Sequence, residues 1–138
     1  MNSLADIEER LATLAAGSAV AADADAILAL GEVILEHWVR ARGEAPTAGR
    51  HEGFRLLALH RQGSRDLPSF NACRETCREL AYHYNLLKSQ PEHPQNGGRA
   101  RMMAMLANHL CLFVGGKLES ERLGEFCCAS KPLRMQGG

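Results

Sequence analysis

The sequence predicts an all-α fold, an antiparallel helical bundle of about five helices forming one domain over residues 1–138. Apolar residues recur at spacings of three and four along nearly the whole chain, the helical period. No window alternates apolar and polar residues with a period of two, as a half-buried strand would. Short breaks rich in Gly, Pro and Asn divide the helical stretches, and connections this short favour antiparallel neighbours.

The first helix is expected over residues 3–16. Ser3 is placed to cap it, and Asp6 follows three residues on, at the positive end of the helix. Leu4, Ile7, Leu11 and Leu14 share one face, and Gly17 with Ser18 closes the element. The second helix starts at Asp23 or Asp25 and runs to Arg42, with Gly43 as its stop. Ile27, Leu30, Ile34 and Trp38 trace its apolar side, flanked by Val33 and His37. A turn through Pro46 leads to Thr47, which caps a third helix reaching Gln62 and stopped at Gly63. Phe54 and Leu57 line its buried side, together with His60 or Arg61, while Gly49 and Gly53 weaken its start. Asp66 or Ser69 caps the fourth helix, Pro68 suits its first turn, and it runs to Lys88. Pro91, Pro94 and Gly97 with Gly98 mark the next loop. A fifth helix is expected over residues 99–114, stopped by Gly115 and Gly116. Residues 117–138 read as an irregular extension, with 123–128 either a short helix or an added strand.

Composition narrows the function classes. A chain of 138 residues buries enough surface to fold without staples. Its formal net charge of zero argues against a nucleic-acid binder, which needs a basic footprint. The charge is nevertheless uneven: residues 1–46 hold eight acids and three bases, and residues 47–90 hold four acids and seven bases. Such asymmetry is satisfied either by packing within the chain or by two copies meeting head to tail. No apolar run approaches a membrane span, and the acidic start, MNSLADIEERL, is unlike a signal peptide. The expectation is a cytoplasmic protein whose five cysteines are free thiols.

The stretch CRETCREL, residues 73–80, carries the strongest chemical signal. Phe70, Cys73, Cys77, Leu80, Tyr84 and Leu87 are spaced 3, 4, 3, 4, 3, so both thiols fall on a core-facing stripe. The leading reading is structural, because free Cys behaves as a small buried hydrophobe. The second is a redox pair, Cys73 with Cys77. An i, i+4 pair lies near the upper end of the Cα separation that a disulfide accepts, and Cys73 sits in the first turns of its helix, where the dipole lowers thiol pKa. The third joins Cys73 and Cys77 to His83 or His109 as metal ligands, although zinc usually takes its cysteines from a turn. All-helical thiol peroxidases of the carboxymuconolactone decarboxylase and alkylhydroperoxidase class use Cys-x-x-Cys with a histidine four residues later. Here three residues separate the thiols and His83 lies six beyond the second, so the motif is absent.

Other candidates carry less. Glu75, Glu79 and His83 fall in one row at i, i+4 and i+8, read as a solvated charged face. His37 and His109 lie beside apolar stripes; with Cys73, Cys77 or Cys111 they would make a metal or haem pocket if the fold brought them together. Met102, Met103 and Met105 read as filler in the core of helix five. Cys127 and Cys128, near the C-terminus, read as accessible thiols. Most of the arginines from Arg50 to Arg78 have no interleaved aromatic residue, and the stretch has no glycine-rich phosphate loop. No nucleophile, base and orienting residue form a catalytic set, so the balance is against an enzyme.

The resulting expectation is a helical protein-interaction or oligomerisation module. It would pair as a homodimer or other homo-oligomer, or with a partner protein, through stripes on the first and third helices. It needs no cofactor, no nucleic acid and no membrane. The alternative is a thiol-redox or metal-responsive protein built on Cys73 and Cys77 with a nearby histidine, zinc or haem being the groups such a site would take.

Overall fold

The computed structural model describes residues 3–121. Five α-helices are present among these residues: α1, Leu4–Thr13; α2, Ala24–Ala41; α3, Arg55–Ser64; α4, Arg74–Ser89; and α5, Asn96–Ser120. The helices pack directly on one another, with α5 against α1, α2 and α4, and α3 against α2 and α4. There is no strand among the described residues, only an isolated bridge between His51 and Phe54. None of the described helices is long and apolar enough to cross a membrane. Residues 122–138, which include Cys127, Cys128 and most of the expected extension, lie outside the described residues, while its first part, residues 117–120, belongs to α5.

The predicted stripes are the buried faces. Leu4, Ile7 and Leu11 of α1, Ile27, Leu30, Ile34 and Trp38 of α2, and Phe54, Leu57 and His60 in and beside α3 are buried, and Leu35, Leu56 and Leu59, which lie outside the expected stripes, join the core. The stripes of the first and third helices, expected to serve as an interface, are therefore already occupied within the chain. Ser3 caps α1 as its sequence position predicts, its Oγ accepting the Asp6 N–H at 3.1 Å. The helix then widens into one π-helical turn, Leu14–Ser18, ending at the expected Gly17 and Ser18.

Several helix ends differ from expectation, two of them by six residues or more in ways the local packing explains. The third helix starts at Arg55 rather than Thr47, because the chain reverses at Glu52 and Gly53, whose φ values are +52° and +86°. His51 and Phe54 exchange two backbone hydrogen bonds of 3.0 Å across that turn. The preceding loop is tied to α3: Thr47 N–H donates to Gln62 Oε1 at 2.8 Å, and Arg55 Nε donates to the Thr47 carbonyl at 2.9 Å. The fifth helix runs from Asn96 to Ser120, through Gly115 and Gly116. Val114, Gly115 and Leu118 are buried, and burial of that last apolar segment outweighs the weak helix preference of two glycines.

The uneven charge is largely matched inside the chain. Arg55 of α3 pairs with Glu32 and Glu36 of α2, Arg65 with Glu44 at 2.7 Å, and Lys88 with Asp25 at 2.9 Å. In each pair an acid of the N-terminal third meets a base of the middle.

Candidate functional site

A 3-10 segment, Pro68–Cys73, leads into α4, so Phe70 to Leu87 is helical with a change of winding at Cys73. Pro68 opens this 3-10 segment rather than the α-helix, which starts at Arg74, and neither Asp66 nor Ser69 caps either element. Cys73 lies at the junction, with φ −98° and ψ 8°. Its side chain is 3% exposed and that of Cys77 is 0% exposed, so both thiols face the core.

The histidine beside them is His60, from α3. Its Nε2 lies 3.2 Å from the Phe70 carbonyl, and the Cys73 thiol lies 3.3 Å from the same oxygen. His60 is itself buried and stacks on the Phe70 ring at 5.5 Å. On its other side Phe70 stacks on Trp38, with centroids 4.7 Å apart and planes 9° from parallel. Trp38, Phe70 and His60 thus form a layered aromatic support that fixes the shared carbonyl, and Phe113 of α5 packs against Phe70 at 5.4 Å.

The electrostatics divide the two thiols. Hydrogen bonding from Cys77 holds Cys73 down, and the hydrogen bond and charge of His60 add to it; together they outweigh burial, so Cys73 is lowered to about 6. Cys77 is pushed well above the ordinary thiol range, first by its hydrogen bond to Cys73 and then by burial. Of the two, Cys73 is therefore the more acidic thiol and Cys77 the less acidic one. The neighbouring groups dominate here, whereas the sequence offered the helix dipole as the cause. Cys111 is the opposite case. Burial raises it to about 12, and its thiol lies 3.5 Å from the Leu4 carbonyl.

The remaining candidates are placed apart. Among the described residues no group of three or more His, Cys, Asp and Glu is arranged to hold a metal ion, so Cys73 and Cys77 do not join His83 or His109 in one ligand set. His109 is exposed on α5, and His83, on α4, has its pKa lowered by burial, partly offset by Glu79. Glu75 and Glu79 are exposed, in keeping with a solvated face. Of the methionines read as core, only Met103 is buried; Met102 is 39% and Met105 is 53% exposed.

The sequence reading sets His83 or His109 beside the thiol pair, and the structure sets His60 there. The signal for His60 was its place on the buried side of the third helix, close to Leu57. Knowing that it meets Cys73 requires knowing that α3 packs on α4.

No protein-family model, curated protein or solved structure matches the chain.

Proposed function

We propose that the protein is a dithiol redox protein in which Cys73 is the attacking thiol and Cys77 the resolving one. The observation that carries this reading is the meeting of Cys73 and His60 at the Phe70 carbonyl, with Cys77 beside Cys73, which lowers the Cys73 pKa and raises that of Cys77. The Cys73 thiolate attacks a disulfide of the substrate. The substrate S–S bond breaks, a mixed disulfide forms, and the released thiolate takes up a proton. Cys77 then loses its proton and attacks the Cys73 sulfur, expelling the second substrate thiol. Two electrons pass from the pair to the substrate, giving two thiols and a Cys73–Cys77 bridge.

Burial makes access the controlled step. The 3-10 segment is the element suited to open, since its hydrogen bonds are poorer than those of an α-helix. Relaxing it also relieves the strain of bridging i and i+4 positions. Bridges of that kind are labile, which suits a reversible switch. In the cytoplasm the resting form is the dithiol. The test is mild oxidation with hydroxyethyl disulfide, followed by thiol counting and peptide mapping. The native protein should lose two of its five thiols, mapped to Cys73 and Cys77. An unchanged count, or a bridge confined to Cys127 and Cys128, overturns the reading.

A second reading, self-association, is favoured by one surface. Met102, Met105, His109, Leu112 and Gly116 follow one another at 3, 4, 3 and 4 along α5, and Leu112 is 50% exposed. That spacing is the seam of a coiled coil. Arg101 lies near one end of the stripe and Glu119 near the other, both exposed, so an antiparallel second copy sets opposite charges together. This replaces the stripes on α1 and α3 as the proposed contact. Light scattering at tens of micromolar should give a dimer, converted to monomer by Met105→Glu with Leu112→Glu. A wild-type monomer removes this reading and leaves the redox one untouched.

A further inference from the structure

We propose that the cavity beside the thiol pair binds the carboxylates of an anionic, low-molecular-weight disulfide, which is the oxidant of Cys73 and Cys77; the proposal rests on the redox reading above. The cavity has a volume of about 290 Å³, and its wall brings together His51, His60, Arg61, Asn71, Arg74 and Arg78. His60 belongs both to this wall and to the hydrogen-bonded cluster around the Phe70 carbonyl, so one residue links the cavity to the Cys73 site.

The wall carries three guanidinium groups and no carboxylate. Glu52, outside it, holds Arg78 at 3.3 Å and 3.4 Å and His51 at 3.0 Å. Arg61 is oriented by His51, its Nη1 lying 2.9 Å from Nδ1. Among the described residues neither Arg61 nor Arg74 has a carboxylate partner. Elsewhere in this region Arg55 pairs with Glu32 and Glu36 and Arg65 with Glu44, while Arg50 donates to the Gly53 carbonyl. Two unpaired planar forks at one concavity are suited to carboxylates, which they bind through paired N–H donors.

The surface continues into an adjoining cavity of about 470 Å³, which shares His51 and Arg61 and adds Arg50. The two together give room for a peptide-like molecule with a carboxylate at each end. A small uncharged peroxide has no use for these arginines. A nucleic acid needs a longer basic footprint than a chain of zero net charge supplies. Held at Arg61 and Arg74, the ligand is concentrated next to His60 when the 3-10 segment opens.

The experiment compares the oxidation rate of the pair by glutathione disulfide, which is anionic, by neutral hydroxyethyl disulfide and by cationic cystamine. At low salt the anionic disulfide should react about tenfold faster than the cationic one, within the range of electrostatic steering. The advantage should shrink as salt screens it and disappear in Arg61→Gln with Arg74→Gln, while the neutral disulfide keeps its rate within about twofold. Equal rates for all three disulfides overturn the cavity assignment and leave the redox reading standing. If none of them oxidises the pair, the redox reading falls. Calorimetry with S-methylglutathione, which has the carboxylates but cannot exchange, then decides the cavity: binding lost in the double variant supports a carboxylate site, and no binding to the wild type overturns it.

Discussion

Trp38→Ala will destabilise the protein by about 3–5 kcal/mol, the usual cost of removing a buried aromatic side chain. Trp38 is 0% exposed and lies flat on Phe70. Its Nε1–H donates to the Gly63 carbonyl at 2.9 Å, joining α2 to the end of α3. Arg42 Nη1 donates to the same carbonyl at 2.9 Å, so that oxygen keeps a partner when the indole is lost; the main cost is the cavity. A domain of ordinary stability has only about 5–15 kcal/mol in total. The change should therefore lower the urea midpoint steeply with little change in slope. Gly63→Ala tests the same contact from the other side. A Cβ there would sit 2.7 Å from Trp38 Cδ1 and 3.3 Å from Phe70 Cε2. Overpacking of that kind costs about 1–3 kcal/mol. A loss below about 1 kcal/mol in Trp38→Ala would mean that the Trp38–Phe70 stack does not anchor the fold.

The same stack explains what was legible in the sequence. The helical stripes were legible, but whether one such as Leu4, Ile7 and Leu11 faces the chain's own core or a second copy was not, and packing puts it in the core. Local chemistry placed Ser3 as a cap correctly, whereas Pro68 opens a 3-10 segment ahead of the helix expected to hold it. Helix ends set by tertiary packing were not legible: Gly115 and Gly116 are helix breakers by propensity, yet α5 continues through them to bury Leu118. The direction of the methionines on α5 was misread for a related reason. Met102 and Met105 carry the same local signal as Met103, and only the placement of neighbouring helices decides which is covered. At the site, the two cysteines sit on one element and their spacing is local information. His60 comes from another helix, and the contact between α3 and α4 is what gives it a role.

Alkylation of Cys73 will rise with pH through about 6 and level off above it, while an ordinary thiol continues to gain reactivity up to about 8.5. The sign follows from which form the fold favours. The thiolate is stabilised, so the reactive species is already dominant at neutral pH and is lost only as pH falls through the lowered value. The groups set against Cys73 are the Cys77 thiol on α4 and His60 on α3; from α5, Phe113 packs on Phe70, and the Lys117 ammonium is 2.9 Å from Ser69 Oγ. Since Cys77 is the largest cause of the shift, Cys77→Ala should move the midpoint upward the most. His60→Gln should move it less, keeping a donor for the Phe70 carbonyl but carrying no charge. Each unit of upward movement costs about tenfold in rate at a pH well below the midpoint. Cys127→Ser with Cys128→Ser provides the background, and Cys111, raised to about 12, stays silent in it. A midpoint near the ordinary thiol value in that background, or one that neither substitution moves, would return Cys73 and Cys77 to the role of core residues. A flat trace at every pH, with the thiols labelling only after unfolding, would do the same by a different route, because a thiolate that no reagent reaches has no chemistry to offer.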